Sequence, residues 1–226
     1  MKLLAIDCSA RLCAACVYDA DARVERGREV LDLGKGHAEH LMGVIEAAMK
    51  ASGLAFADLD AIAVSVGPGS FTGVRVGVSA ARGLALALDI PAIGVNTLEA
   101  LAAEARALNG PRTVLAALDG GRGELQAAVY DDAGAALFEP AVIDLDRAIL
   151  LAREHAAALA GTAAQMVAEA LGAEAGPIIG PVAATADIGT YARLAAGRQP
   201  GARPKPLYLR EPDAKPQAGF VLPRSG

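Results

Sequence analysis

An internal repeat between the two halves of this 226-residue chain most constrains its fold. When Leu3–Asp19 is placed over Leu115–Asp131 without a gap, seven of the seventeen aligned positions are identical. In each copy an apolar strand ends in an aspartate, Asp7 or Asp119, and a second strand ends in Val-Tyr-Asp. Each copy therefore reads as a β-hairpin. A repeat at an offset of 112 residues predicts two similar α/β lobes, each opening with a hairpin.

Hydrophobic periodicity and turn residues predict the remaining elements. Further strands are expected over 24–33, 58–66, 90–95, 141–145 and 177–180. Helices are expected from His37 and over 73–88, 96–108, 146–159, 163–171 and 188–196, with Asn96 and Glu99 as a capping box. Six prolines after Gln199 exclude a regular helix. The predicted organisation is an N-terminal lobe (1–108), a C-terminal lobe (109–198) and an extended Pro-rich tail (199–226), in which Pro206-Leu-Tyr-Leu-Arg210 docks and the last ten residues are loose.

Charge and hydropathy exclude some classes of function. The chain has a formal net charge of −5 and no cluster of basic residues, so it is a poor stand-alone binder of nucleic acid. Any contact with RNA would need positive charge from another subunit. The apolar run at the N-terminus stops at Asp7, too early for a signal peptide, and no uncharged stretch approaches a membrane span. A cytoplasmic location without membrane contact is expected.

A glycine-rich segment, Gly67-Pro-Gly-Ser-Phe-Thr-Gly73, separates an apolar strand from a helix of small residues. Three glycines and a proline within seven positions predict a tight turn. Its backbone N–H groups would serve an anion, a capping side chain or a closely approaching backbone. No Gly-Lys-Ser/Thr follows, as a Walker A loop requires, and Pro68 and Phe71 break the spacing of a dinucleotide-binding loop.

The two repeated aspartates have two interpretations. At equivalent strand ends, Asp7 and Asp119 could hold a metal and phosphates between the lobes, as in two-lobed phosphotransferases. This alternative makes the chain a stand-alone ATP-dependent phosphotransferase. Alternatively, each carboxylate accepts hydrogen bonds from turn amides within its own hairpin, which is the ordinary role of Asp in tight turns and the favoured interpretation.

Neither the cysteines nor the histidines predict a metal site. Three cysteines in the first hairpin lack a second pair, so packing as small apolar residues is favoured over zinc binding or a disulfide framework. His37 and His40 lie three residues apart and could share a metal, but no further ligand cluster follows. A solvated or interface face is the favoured interpretation.

The helix over 73–88 is apolar on more than one side. One stripe includes Val74 and Val78, a second includes Ala80 and Leu84, and Arg82 lies on a third face. Because the helix must be covered on more than one side, a subunit interface is predicted, although the second lobe could provide the cover.

With these motifs in place, the chain resembles the TsaB family of bacterial tRNA threonylcarbamoyladenosine biosynthesis proteins. The resemblance lies chiefly in Gly67-Pro-Gly-Ser-Phe-Thr-Gly-Val-Arg-Val-Gly77. Supporting motifs are Leu4-Ala-Ile-Asp-Cys-Ser9, His37-Ala-Glu39 with Leu41, Gly94-Val-Asn-Thr-Leu98, Ala117-Leu-Asp119 with Gly123-Glu124 and Tyr130, and the tail Pro206-Leu-Tyr-Leu-Arg210. It is strong over 1–130 and thin over 131–200.

The resemblance implies two lobes of the actin-like/ribonuclease-H-like (ASKHA) type and a non-catalytic role. The family implies a subunit that dimerises with TsaD, the enzyme that threonylcarbamoylates adenosine next to the anticodon of ANN-decoding tRNAs. It also implies recruitment of the ATPase TsaE, contact with tRNA only through the complex, and a homodimer when the chain is alone. No cofactor is required by this subunit; ATP and magnesium belong to its partners.

The resemblance also implies where partners and ligands would bind. The expected partner interface uses helices 37–50 and 73–88, through His37, His40, Leu41, Val44, Ile45, Ala48, Phe71, Val74, Arg75, Val78, Arg82 and Leu86. Of these, Val44, Ile45, Val78 and Leu86 are expected to carry the apolar contact. The glycine-rich Asp119-Gly-Gly turn departs from the family pattern and leaves a residual nucleotide or anion site open, formed by Asp7, Ser9, Gly69, Ser70, Asp119 and Gly120. No catalytic residue and no metal ligand is expected.

Overall fold

Two β-sheets form the framework of the protein, as seen in a computed structural model that describes residues 1–172 and 180–209. The first sheet has the strand order β3-β2-β1-β4-β5 and the second β8-β7-β6-β9. The strands are β1 Lys2–Asp7, β2 Leu12–Asp19, β3 Val24–Asp32, β4 Ala61–Ser65, β5 Ala92–Val95, β6 Val114–Asp119, β7 Leu125–Tyr130, β8 Ala136–Ile143 and β9 Ala158–Ala160.

The second sheet repeats the strand pairing of the first. β1 pairs antiparallel with β2 and parallel with β4, while β6 pairs antiparallel with β7 and parallel with β9. Asp7 and Asp119 end β1 and β6, at corresponding points of the two hairpins. The predicted α/β fold, with two similar lobes that each open with a hairpin, is therefore confirmed.

The helices of the described residues lie in three layers around the sheets. α1 and α2 cover the outer face of the first sheet, α4 and α5 cover the outer face of the second, and α3 and α6 lie between the sheets. Their bounds are α1 His37–Ser52, α2 Phe71–Leu88, α3 Thr97–Asn109, α4 Leu145–Glu154, α5 Ala164–Leu171 and α6 Ile188–Ala196. α6 belongs to the range predicted for the second lobe, yet it packs on the first sheet. The lobe boundaries themselves stay a prediction.

Strand alternation distributes the side chains of β1 between two cores. Leu4 and Ile6 point towards α1 and α2, and Leu3 and Ala5 point towards α3 and α6. All four are fully buried, because successive residues of a strand face opposite sides of a sheet that is covered on both. The strand is therefore apolar from Leu3 to Ile6, between Lys2 and Asp7.

Side-chain caps define several helix starts. The Asn96 Oδ1 atom accepts from Leu98 N at 2.7 Å and Glu99 N at 3.4 Å, and α3 begins at the next residue. Only the Asn96 half of the predicted capping box is present. The Glu99 carboxylate binds the Arg198 guanidinium instead of the backbone N–H group of Asn96. This ion pair connects α3 to the chain after α6.

Sequence patterns failed mainly in the second lobe. The helix predicted over 146–159 ends at Glu154, and β9 follows after Ala156, whose φ of 45° breaks the helix. The strand predicted over 141–145 is the end of a longer strand, β8. The strand predicted over 177–180 lies outside the described residues except for Gly180.

Among the described residues, α2 is the one helix whose length and apolar composition would let it cross a membrane. A single such helix is weak evidence, since core helices pass the same test. Val74, Val78 and Ala81 on this helix are buried in the core shared with the first sheet. α2 therefore packs against the first sheet as a helix of the folded domain.

Candidate functional site

The glycine-rich segment links the end of β4 to α2 by packing backbone directly against backbone. A Cβ atom on Gly69 would lie 2.2 Å from the carbonyl oxygen of Ser9, and one on Gly73 would lie 2.0 Å from that of Cys8. No side chain fits at either position. Glycine is needed at both positions because the backbone of the segment packs against the turn between β1 and β2. A closely approaching backbone was one of the three alternatives that the sequence left open, beside an anion and a capping side chain.

Two amides of this segment, and the amide of the residue that follows it, are already hydrogen-bonded within the protein. Ser70 N donates to Ser9 O at 2.6 Å, and Gly73 N donates at 3.2 Å to the Ser70 hydroxyl, which caps α2. Val74 N donates to Ser70 O at 2.9 Å. The turn thus closes on itself and on the first hairpin, which leaves fewer N–H groups for an anion.

Asp7 is buried and hydrogen-bonded on both carboxylate oxygens. Oδ1 accepts from Ser9 N at 2.8 Å and from the Ser65 hydroxyl, and Oδ2 accepts from the Thr185 hydroxyl at 2.6 Å. Only 1% of the residue is exposed, and it does not line the cavity between the lobes. The Asp7 carboxylate is thus enclosed by donors of its own chain, and its place in an anion or nucleotide site stays a prediction.

The network around Asp7 continues into α6. The Thr185 hydroxyl lies 2.7 Å from the Tyr191 hydroxyl, which is fully buried. Burial and the nearby charge of Asp7 raise the pKa of Tyr191, so its phenol stays protonated. No sequence motif points to Thr185 or Tyr191, and the only signal for Ser65 is a hydroxyl inside an otherwise apolar strand.

Asp119 binds its own turn, as the favoured interpretation predicts. Its Oδ1 atom accepts from Gly121 N at 2.8 Å, and Gly120 N donates to Glu124 O at 2.9 Å. Unlike Asp7, Asp119 is exposed and lies at the cavity. Its backbone N–H donates to the Thr162 hydroxyl at 2.9 Å, which ties the end of β6 to the chain after β9.

A cavity of about 1030 Å³ lies between the two lobes. It gathers most residues of the predicted anion site, together with apolar side chains from α2, β6 and the tail. The lining residues are Ser9, Ala10, Arg11, Pro68, Gly69, Ser70, Phe71, Val74, Arg75, Leu118, Asp119, Gly120, Gln126, Thr162, Ala184, Leu207, Tyr208 and Leu209. Occupation of this cavity by a nucleotide or anion stays a prediction.

The outer layer formed by α1 and α2 contains a second, shallower hollow of about 450 Å³. Its floor and rim combine small and apolar side chains with one arginine. The lining residues are Ala38, Leu41, Met42, Thr72, Arg75, Val76, Ser79 and Ala80.

The residues predicted for the partner interface divide into two groups. Five of them are exposed on the outer layer: His40, Phe71, Arg75, Arg82 and Leu86. The remaining residues, His37, Leu41, Val44, Ile45, Ala48, Val74 and Val78, are buried.

The prediction that Val44, Ile45 and Val78 make the apolar contact with the partner is corrected, because all three are buried. These three side chains pack between the helices and the first sheet, so a partner would not reach them in the folded chain. The apolar surface that a partner would meet includes Met42 and Val76 instead. Periodicity finds the apolar stripe of a helix but does not say which part its own sheet covers.

The tail docks on the loop before α2. Leu207 N donates to Val66 O at 2.8 Å, next to the glycine-rich segment. Tyr208 then contacts α2: its hydroxyl accepts from Arg75 Nε at 2.6 Å, and its ring centroid lies 5.6 Å from that of Phe71. Docking of this segment was predicted; Arg210 and the last ten residues lie outside the described residues.

The described residues contain no group of three His, Cys, Asp or Glu side chains that could hold a metal ion. His37 Nε2 lies 3.1 Å from Leu12 O, and His40 is exposed. Cys8, Cys13 and Cys16 are free and buried, and burial raises the pKa of the Cys16 thiol to about 12. The cysteines thus pack as small apolar side chains, as predicted.

Comparison with known proteins assigns the chain to one family. A family model described as TsaD: tRNA N6-adenosine threonylcarbamoyltransferase matches residues 32–177, more than half of the chain. The chain belongs to this family. The tRNA threonylcarbamoyladenosine biosynthesis protein TsaB of Escherichia coli is 38% identical over 130 residues, which cover 58% of this chain and 55% of that protein. The chain thus spans about half the length of this curated relative.

Two further relatives match over most of their length. A protein of Mycobacterium tuberculosis is 34% identical over 225 residues, covering 96% of this chain and 95% of its own. The solved structure of YeaZ from Pseudomonas aeruginosa is 28% identical with a TM-score of 0.69, covering 86% of this chain and 90% of that one. The resemblance to TsaB and the actin-like fold that it implies are confirmed.

Proposed function

We propose that this chain serves the biosynthesis of threonylcarbamoyladenosine in tRNA as a non-catalytic subunit that pairs with a TsaD protein. Family membership and the TsaB relative support the pathway. The pairing is supported by the outer face of α1 and α2, which includes Met42, Arg75 and Leu86 and is called the α1/α2 face from here on. On this proposal, the chain stabilises TsaD and completes the surface that receives TsaE and the ANN-decoding tRNA.

The single observation that carries the proposal is the apolar exposure of the α1/α2 face. Met42 is 54% exposed on α1 and Leu86 is 75% exposed on α2, although both are apolar. Gly43 and Gly83 have open space where a side chain would project, so the backbone of another helix could approach closely. Exposed apolar surface of this kind is typical of protein–protein interaction sites.

The geometry of the two aspartates supports a non-catalytic role. Asp7 cannot reach a metal or phosphate without losing the donors from Ser9, Ser65 and Thr185. Asp119 is exposed, but it already accepts from Gly121 N. Phosphoryl transfer depends on positioned metal ligands and cations around the phosphates, and the glycine-rich loop offers no lysine for that purpose.

The proposal assigns ATP and magnesium to the partner subunits TsaD and TsaE. It also assigns tRNA contact to the assembled complex, because the chain carries a formal net charge of −5. In the absence of TsaD, the same α1/α2 face would join two copies of the chain. The proposed location is the cytoplasm.

Light scattering after size-exclusion chromatography tests the proposal. The chain is measured alone, then mixed with the TsaD protein of the same organism, with and without TsaE and ATP. We expect a stoichiometric complex whose mass differs from that of every free species. If no complex forms under any of these conditions, the chain is not a TsaD-binding subunit.

ATP turnover by the isolated chain tests the alternative, a stand-alone phosphotransferase that uses Asp7 and Asp119. We expect no magnesium-dependent release of phosphate above the buffer blank. Turnover that disappears in Asp119→Asn, with the fold intact, would favour the phosphotransferase instead.

A further inference from the structure

Arg75 is held in place by two aromatic side chains at the N-terminal end of α2. Its Cζ atom lies 3.7 Å from the ring centroid of Phe71 and 5.3 Å from that of Tyr208, both within the range of cation–π attraction. Its Nε–H group donates to the Tyr208 hydroxyl at 2.6 Å. The guanidinium plane is therefore oriented by one ring on its own helix and one on the tail, 133 residues away in sequence.

Most donors of this guanidinium remain available. An arginine has five N–H donors, and Tyr208 accepts from the one on Nε. Within residues 1–172 and 180–209, no carboxylate pairs with Arg75 and no acceptor is bonded to its two Nη groups. Arg11 and Arg28, in contrast, bind Asp32 and Asp187, each at 2.7 Å.

The position of Arg75 connects it to the proposed partner surface. The residue is exposed and lines both the hollow of the α1/α2 face and the cavity between the lobes. Its surroundings are apolar on the surface side: Phe71 is 53% exposed, and Met42 lines the same hollow. Arginine and tyrosine are enriched among the few residues that contribute most of the binding energy of a protein interface.

We propose that Arg75 binds an aspartate or glutamate side chain of the protein partner, and that Tyr208 is its positioning residue. Because Tyr208 occupies Nε, the two Nη groups form the free edge of the fork, and a carboxylate would meet that edge with two parallel hydrogen bonds. The tail thereby becomes part of the partner-binding surface. This inference rests on the proposed function, since it names the contact through which the α1/α2 face selects its partner.

The observations favour a carboxylate over an RNA phosphate. Proteins that bind the phosphate backbone do so through clustered basic residues, whereas Arg75 stands in a hollow whose other lining residues are uncharged. The formal net charge of −5 opposes RNA throughout. An aromatic, partly desolvated setting strengthens a single guanidinium–carboxylate pair.

Affinity for the full-length TsaD protein tests the inference. We expect Arg75→Gln and Arg75→Lys each to weaken binding about tenfold or more, since neither side chain reproduces the bidentate fork. Tyr208→Phe, which removes only the hydroxyl, should weaken binding about threefold to tenfold. The matched control is Arg147→Gln, because Arg147 also lies over a ring, 5.7 Å from the Phe138 centroid, but on the second lobe. The control should bind like the wild type, and all variants should keep the wild-type unfolding midpoint within about 2 °C.

A double-mutant cycle separates positioning from a general effect on the surface. If Tyr208 acts through Arg75, Tyr208→Phe costs no further affinity once Arg75→Gln is present. Additive losses would overturn the positioning role, and wild-type affinity of both Arg75 variants would overturn the carboxylate site while leaving the proposed pairing intact. Unchanged protein affinity with weakened tRNA binding by the complex would assign Arg75 to a phosphate instead. Absence of any wild-type complex would overturn both proposals.

Discussion

Asp7 lies buried where the first strand ends, and its carboxylate joins three segments that are distant in sequence. It accepts from Ser9 in its own turn, from Ser65 on β4 and from Thr185 before α6. A buried carboxylate is tolerated when donors satisfy both oxygens, and removing it would leave those donors unpaired. At the residue scale, therefore, Asp7 holds these three segments together.

A substitution pair tests that role. We expect Asp7→Ala to lower the free energy of unfolding by about 2–4 kcal/mol, because several buried donors lose their acceptor. Asp119→Ala should cost about 1 kcal/mol or less, since Asp119 is exposed and binds a turn amide. Urea unfolding followed by circular dichroism measures both. Equal, small effects would mean that the Asp7 network does not stabilise the fold.

Two glycines of α2 should respond in opposite directions to the same change. Gly73→Ala would place Cβ 2.0 Å from Cys8 O, which forces the backbone apart and should destabilise the chain by about 2 kcal/mol or more. Gly83→Ala meets open space and should stabilise it by up to about 1 kcal/mol, through helix propensity. Thermal and urea unfolding check both, and a Gly73→Ala variant as stable as the wild type would contradict the packing at the loop.

At the scale of elements, α6 is joined to the first sheet by a pair of charged residues. Asp187 caps α6 by accepting from Gly189 N at 2.9 Å, and it binds Arg28 of β3 at 2.7 Å. Burial would raise the pKa of Asp187, but hydrogen bonds and the charge of Arg28 outweigh it, so the pKa lies below its usual value. The carboxylate stabilises the fold above its unfolded-state pKa of about 4, and this contribution is lost as the pH falls through the lower folded-state pKa.

The stability of Asp187→Asn should therefore depend on pH in a specific way. At pH 7 we expect it to be about 1 kcal/mol less stable than the wild type, and this difference should narrow below about pH 4. Asp32→Asn is the control, because the ion pair of Asp32 with Arg11 is exposed and should contribute little. Urea titrations from pH 3 to 7 measure the difference. A gap that stays constant across that range would show that the charge of Asp187 is not what stabilises α6.

Elements with a long, regular pattern were predictable, and elements defined by tertiary pairing were not. Ile188–Ala196 forms the predicted helix, and the internal repeat revealed both hairpins. β9 has only three residues, Ala158–Ala160, and exists because it pairs with β6. The sequence Ala-Leu-Ala directly after a helical pattern carries no strand signal of its own.

The candidate site was predictable where a turn demands particular residues. Gly69 and Gly73 mark a close backbone approach, and this requirement is visible as glycine in the sequence. Burial was not visible: Val78 and Leu86 belong to the same apolar helix, yet one is 2% and the other 75% exposed. The contact between Arg75 and Tyr208 joins residues far apart in the chain, and a single sequence does not reveal such pairs.

At the scale of the whole molecule, the layers separate two surfaces. The cavity between the lobes is bordered by the first hairpin, α2 and the tail, while the α1/α2 face lies on the outside of the first sheet. Arg75 lines both. We propose that the α1/α2 face binds the TsaD partner, and that the first lobe supplies this surface without catalysing the transfer.

The most direct test is the affinity for TsaD of two matched charge insertions. Met42→Glu places a carboxylate in the α1/α2 hollow, and Leu150→Glu places one on α4 at a similarly exposed apolar position, 48% against 54% exposed. We predict that Met42→Glu weakens the complex at least tenfold while Leu150→Glu binds like the wild type, with both variants folded. Wild-type affinity of folded Met42→Glu would contradict the claim that this face binds the partner.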